Sequence, residues 1–162
     1  MTVVTSWYPL TDAEHSARHS HVLDIDAPPA AVWAALTADD ALASWSPLVS
    51  AVSWETPRPF GVGTVRVVTL GPGVLALRER FWCWEDEHRM AFTVDAATRP
   101  GLRSFGEDVE LTPTATGTRV RWTFGYTPVP LLRPAFWIGG PLNHLATRSI
   151  VHGLATRVGV YR

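Results

Sequence analysis

His21-Val22-Leu23-Asp24-Ile25-Asp26-Ala27-Pro28-Pro29 runs without a loop into Ala30-Ala31-Val32-Trp33-Ala34-Ala35-Leu36. The first part reads as a strand over 20–25, with Val22 and Asp24 on one face and Leu23 and Ile25 on the other. Pro28 and Pro29 suit the first turn of a helix, where a missing N–H costs little. Val32, Trp33 and Leu36 then follow helical spacing. A strand therefore turns directly into a helix. Near the other end, Gly117-Thr118-Arg119-Val120-Arg121-Trp122-Thr123-Phe124 reads as a strand that feeds one long helical stretch. Everything between reads as strands. A curved sheet wrapped around one long helix encloses a cavity, so the pattern points to small-molecule handling.

Working outward, residues 38–46 are expected to form a second short helix, with Asp39 and Asp40 favouring its N-terminal end and Pro47 ending it. Strands are expected over 48–55, 63–70, 74–84, 88–95, 102–112 and 118–127. Turn residues separate them, among them Gly71-Pro72-Gly73 and Arg99-Pro100-Gly101. Short links between neighbours imply an antiparallel meander. Pro128, Pro130 and Pro134 then break the chain. The closing helix runs from about 131 or 134 to 158, with a kink expected at Gly139-Gly140-Pro141. Residues 1–19 read as an N-terminal extension, with capping-box spacing at Thr11-Asp12-Ala13-Glu14. Residues 20–162 read as a single domain.

Composition narrows the function. The formal net charge is −1, so no cationic excess exists to neutralise phosphates, and nucleic acid is not the expected partner. The lone cysteine, Cys83, allows neither an intrachain disulfide nor a cysteine zinc cluster. No apolar run reaches the roughly 20 residues of a membrane span. The N-terminus lacks a basic stretch followed by an apolar one, so a soluble cytoplasmic protein is the expectation. Eight tryptophans supply either a large-residue core or an aromatic lining for a flat apolar ligand.

The order of elements resembles the helix-grip fold, an α+β architecture. That fold has a curved antiparallel sheet of about seven strands around a long C-terminal helix, two short helices after the first strand, and an interior cavity. The sequence is similar to the SRPBCC superfamily, the START- and birch-pollen-allergen-like proteins, and specifically to its polyketide cyclase/dehydrase-like bacterial branch. The resemblance rests on Asp26-Ala27-Pro28-Pro29-Ala30-Ala31-Val32-Trp33, Trp45-Ser46-Pro47, Gly61-Val62-Gly63-Thr64 and Arg78-Glu79-Arg80-Phe81. It continues at Trp84-Glu85-Asp86 and Gly117-Thr118-Arg119-Val120-Arg121-Trp122. It covers about residues 20–160. It implies binding of a small hydrophobic, aromatic or polyketide-like molecule, with cofactor-independent cyclisation or dehydration as one activity. A non-catalytic lipid carrier or sensor is the alternative. A partner-binding protein of the same fold, using Leu142 and Leu145, is a third class.

Strand alternation selects inward residues. Val120, Trp122, Phe124 and Tyr126 share one face of the last strand. Phe105, Glu107, Val109 and Leu111 share a face of the one before. Leu75, Leu77, Glu79, Phe81 and Cys83 share a face of the strand over 74–84. Glu79 and Glu107 thus point inward. Desolvation raises a carboxyl's pKa towards the range useful for a general base. Removing a proton beside a carbonyl needs such a base and a donor for the enolate oxygen. Glu79 or Glu107 is the candidate base. Tyr126, the indole of Trp122 or Asn143 is the candidate donor. The competing reading pairs these carboxylates with Arg66, Arg80 or Arg103. On the long helix, Asn143 and Thr147 interrupt an apolar stripe, which a ligand's polar group or a hydrogen bond to the protein would each explain. The candidate ligand contacts are Trp82, Phe92, Phe105, Trp122, Phe124, Asn143 and Thr147.

His15 and His19, four apart, lie where a strand begins, so a metal site is not expected there. His144 falls at the edge of the inner face. Gly61-Val62-Gly63 lacks the residues of a phosphate loop. Cys83 has no visible base and reads as a small buried hydrophobe. The stretch 128–142 reads as a lip at the cavity mouth or as core packing, with contact to a membrane surface a lesser alternative.

Overall fold

A computed structural model describes residues 1–3 and 17–159, apart from the side chains of Thr2, Val3 and Phe136. The turn expected at Thr11 and the His15 side chain lie outside the described residues. The chain forms β1 (Thr2–Val3), β2 (Ala17–Ile25), α1 (Pro29–Leu36), β3 (Val49–Trp54), β4 (Val65–Leu70) and β5 (Leu75–Glu85). It continues with β6 (Arg89–Ala97), β7 (Leu102–Pro113), β8 (Thr118–Pro128), a 3-10 turn (Pro130–Leu132), α2 (Arg133–Ile138) and α3 (Gly140–Val158).

The strands make one antiparallel sheet in the order β2-β8-β7-β6-β5-β4-β3, with β1 paired to β6. β2 therefore leaves its sequence neighbours and pairs with β8, which closes the curve against α3. The hand-off from β2 to α1 works as the sequence suggested. Pro28 is extended and Pro29 opens the helix. The β7–β8 turn lies against this hand-off: a Cβ on Gly117 would sit 2.1 Å from the Ile25 carbonyl oxygen, so only glycine fits. Thr118 seals the joint, its hydroxyl donating to the Ala27 carbonyl at 2.7 Å.

Several local features depart from the sequence reading. β2 starts at Ala17, three residues inside the expected extension, and residues 2–3 of that extension pair with β6. The closing helix is divided into the 3-10 turn, α2 and α3. Residues 38–46 make hydrogen-bonded turns (Ser44 N–H to Asp40 O, Ser46 N–H to Leu42 O) rather than an unbroken helix. Leu42 has φ +67°, a left-handed conformation that interrupts helical geometry. In β5 the register against β6 shifts between Phe81 and Cys83. Alternation holds from Leu77 through Glu79 to Phe81, then the bulge turns Trp84 towards the core, where its ring meets Phe81 and Trp33. Cys83 is therefore not part of the core, as the sequence had suggested, but a half-buried residue outside it.

The core joins Ile25, Val32, Leu36, Phe81, Phe92, Val120, Trp122 and Phe124 to Val151, Leu154 and Ala155 of α3. These last three lie in the second half of α3. Gly153 lets that half rest directly on the 38–46 turns: a Cβ there would meet the Trp45 carbonyl oxygen at 2.6 Å. Gly153→Ala has an intrinsic helix propensity gain of about 1 kcal/mol. The clash is with backbone, which cannot swing away, so the net result should be a loss of about 1–3 kcal/mol, visible as a lowered thermal midpoint. The first half of α3 differs. Leu142 and Leu145 are mostly exposed, and its inward side carries Asn143 and Thr147.

Candidate functional site

Between the sheet and α3 lies a cavity of about 80 Å³ lined by Leu42, Val49, Val68, Leu70, Leu77, Phe105, Phe124, Thr147 and Ile150, with Glu79 and Glu107 in the wall. One water needs roughly 10–15 Å³ by a comparable measure, so the space holds a few waters or a small organic group.

Each wall carboxylate is placed by strand pairing. Glu79 on β5 stands opposite Arg66 on β4. Glu107 on β7 stands opposite Phe124 on β8 and Phe92 on β6. All three ionisable side chains are buried: Arg66 and Glu79 are 2% exposed and Glu107 is 7%. Arg66 Nε donates to Glu79 Oε2 at 2.6 Å. Its guanidinium carbon lies 4.8, 5.1 and 5.4 Å from the ring centroids of Phe92, Phe81 and Trp54. The cation is thus neutralised by one carboxylate and enclosed by aromatic rings. Arg66 escaped the sequence reading as a site residue in its own right. Its signal was weak: it shares a face with Val68 and Leu70, an odd position for an unpartnered cation.

Glu107 accepts a hydrogen bond from the indole N–H of Trp122 at 2.7 Å. Burial, and then the charge of Glu79, push its pKa up to about 8, against the smaller opposing pull of Trp122 and Arg66. Burial also pushes Glu79 up, while Arg66 pulls it back. A guanidinium stays charged. Arg66 is held on Glu79, so Glu107 has the Trp122 indole but no cation hydrogen-bonded to it, and burial beside Glu79 favours a proton on Glu107. An acid held neutral at pH 7 is a hydrogen-bond donor aimed into an apolar space.

The other sequence candidates sort by position. Phe105, Phe124 and Thr147 line the cavity with the two carboxylates. Phe92 and Trp122 lie in the core behind it, Phe92 against Arg66 and Trp122 on Glu107. Trp82 is outside the cavity wall, its ring near the Arg89 guanidinium, because it belongs to the opposite face of β5. Tyr126 and Asn143 are also outside the wall and bond each other, Asn143 Nδ2 donating to the Tyr126 hydroxyl at 3.2 Å.

A second cluster lies beside Thr147 of the cavity wall. His21 Nε2 lies 2.8 Å from the Thr147 hydroxyl, and His19 Nε2 lies 3.2 Å from the Tyr126 hydroxyl. The His144 ring stands 4.7 Å from His21 and 5.5 Å from His19. Burial and His144 lower both β2 histidines, His21 to about 4. They are neutral at pH 7, so polar contacts of uncharged groups fasten the first half of α3. Thr147 and Asn143 interrupt the apolar stripe in order to make these bonds. Among the described residues no group of three or more histidine, cysteine or acidic side chains is placed to hold a metal.

The sequence profile of the family described as polyketide cyclase / dehydrase and lipid transport matches residues 16–158. The chain belongs to that family. An uncharacterized Mycobacterium tuberculosis protein, Rv2574, is 30% identical over 134 residues, covering 83% of this chain and 80% of that protein. Uncharacterized protein Mb2604 of Mycobacterium bovis matches to the same extent. Among solved structures, TTHA0849 from Thermus thermophilus superposes with a TM-score of 0.70 at 20% identity, covering 88% of this chain and 95% of that one. Ara h 8.0201 gives 0.66 at 14% identity, covering 88% and 97%. These likenesses establish the helix-grip fold of the family member. Among its described residues, no helix is long and apolar enough to cross a membrane.

Proposed function

We propose that this polyketide cyclase / dehydrase and lipid transport family member binds a small hydrophobic molecule carrying a carbonyl or hydroxyl group. In this reading the apolar part lies among Leu70, Leu77, Phe105, Phe124 and Ile150, and the oxygen meets Glu107. The observation that carries it is the pair of buried carboxyls, Glu107 and Glu79, in an otherwise apolar wall, and the upward shift of Glu107 to about 8 supports a neutral, donating acid there. For cyclisation or dehydration the first step is enolisation: Glu107 gives its proton to a carbonyl oxygen while a carbon beside that carbonyl loses one. Glu79 is the second carboxylate in the wall able to receive it. The enol then attacks a second carbonyl of the same molecule or expels a β-hydroxyl as water, re-forming the first carbonyl and returning the proton to Glu107. The cavity is smaller than the roughly 300 Å³ of common ligand pockets. A multi-ring ligand therefore extends past Thr147 and displaces the first half of α3. The Arg66–Glu79 pair favours a second reading, a carrier in which Glu107 only orients the ligand.

Native mass spectrometry of the freshly purified protein, followed by denaturing extraction, tests the binding claim. A stoichiometric apolar molecule is the expected result, and repeated absence of any adduct after supplying aromatic ketones and fatty acids would overturn it. Glu107→Gln then separates the two readings. Loss of turnover by about 10²-fold or more with retained binding marks the enzyme. Unchanged handling of the extracted molecule marks the carrier.

A further inference from the structure

One end of the molecule combines exposed apolar side chains with cations that have no acidic partners. Leu131, Trp137 and Ile138 are 87%, 84% and 74% exposed. Leu142 and Leu145, in the first half of α3, are 71% and 58% exposed. The β6–β7 turn sits beside them: Val129 N–H donates to the Gly101 carbonyl, and a Cβ on Gly101 would be 3.6 Å from Leu132. The β4–β5 turn joins the same end, because Arg99 Nε donates to the carbonyl of the half-exposed Val74.

The charge at this end has one sign. Residues 67–78, 96–106 and 111–162 contain no aspartate or glutamate. Arg99 and Arg103 flank the β6–β7 turn, Arg133 opens α2 and Arg148 follows Leu145 by three residues in α3; all four are exposed, and none forms an ion pair with a carboxylate among the described residues. All 14 cationic residues of the chain are arginine. An exposed apolar segment carrying tryptophan and aliphatic side chains, with arginines on the same turns and helices and no acidic residues, matches the interface of a bilayer. Arginine stems can lie along the apolar boundary while the guanidinium groups meet anionic headgroups. A second copy of the chain is a poorer match, since an isologous contact here would set Arg133 and Arg148 against their own counterparts without a carboxylate between them.

We infer that the tip formed by Leu131, Trp137, Ile138 and Leu142, with Arg99 and Arg133, docks on anionic lipid bilayers. Docking brings the bilayer beside the ends of β4, β5 and β7, whose Leu70, Leu77 and Phe105 form the cavity wall. The inference rests on surface composition and does not require the acid–base reading of Glu107.

Co-sedimentation with vesicles of phosphatidylcholine alone, and of phosphatidylcholine with a third phosphatidylglycerol, tests it. The full chain should bind the anionic vesicles at least about tenfold more tightly than the neutral ones, and should release them as salt rises. Trp137→Glu with Ile138→Glu should weaken binding by about tenfold or more, and Arg99→Glu with Arg133→Glu should abolish the preference for anionic lipid. All four residues are exposed or on surface turns, and an unchanged thermal midpoint confirms that the variants are folded. Absence of vesicle binding, or binding unaltered in both variants, would overturn the inference. So would a concentration-dependent dimer dispersed by the Trp137/Ile138 variant, since that assigns the face to self-association. Ligand retention by the cavity, read separately by native mass spectrometry, keeps failure here distinct from failure of the binding proposal.

Discussion

Arg66→Met should destabilise the protein by about 3–5 kcal/mol, the usual cost of leaving one member of a buried ion pair uncompensated. Arg66 and Glu79 are each 2% exposed, and the ion pair between them is 2.6 Å long. Removing the cation leaves Glu79 to ionise without a partner or to take up a proton. Three aromatic rings also lose the guanidinium they enclose. A domain of this size is stable by about 5–15 kcal/mol, so the loss is a large share of the total. Urea denaturation at pH 7 measures it. The control is the double variant Arg66→Met/Glu79→Leu, which removes both charges and should recover most of the stability. A single variant as stable as the parent would show that the pair is not buried as described.

The second large effect is a pH dependence. Glu107 has an ordinary carboxyl value of 4.5 in the unfolded chain and about 8 in the folded protein. The folded state therefore binds more protons than the unfolded state between those values. The stability associated with this proton is fully present below about pH 4.5 and is lost as pH rises towards 8. The shift corresponds to a loss on the order of 4 kcal/mol across that window. Glu107→Gln keeps an acceptor for the Trp122 indole and carries no titrating proton. Its stability should be flatter over the same range, and the variant should overtake the parent near pH 8. Parallel stability curves for the two proteins would place the Glu107 titration elsewhere.

The large elements were legible because each carries a strong local signal. β8 alternates Val120, Trp122, Phe124 and Tyr126 against Arg119 and Arg121, and the structure buries the first set and exposes the two arginines. The hand-off at Pro28-Pro29 and the helix break at Gly139 sit where sequence placed them. Features set by tertiary packing were not legible. The bulge after Phe81 shifts parity by one residue, so Trp84 faces the core and Cys83 does not. The left-handed Leu42 breaks what composition alone favours as a helix.

The site was half legible for the same reason. Glu79 and Glu107 follow from alternation within single strands. The choice of Arg66 over Arg80 or Arg103 as the partner follows from the β4–β5 register, which no single strand encodes. Asn143 and Thr147 stood out as polar residues on an apolar stripe, but their partners Tyr126 and His21 lie on strands 17 and 126 residues away. Cavity size depends on how Phe105, Phe124 and Ile150 fill the interior, and no pattern fixes that.

The most direct test is a carbon-13 NMR titration of the glutamate side-chain carboxyls, with Glu107→Gln assigning the Glu107 resonance. This resonance should report a neutral acid at pH 7 and titrate with a midpoint near 8. A midpoint near the ordinary 4.5 would contradict a protonated donor inside the cavity and, with it, the proposed role of Glu107.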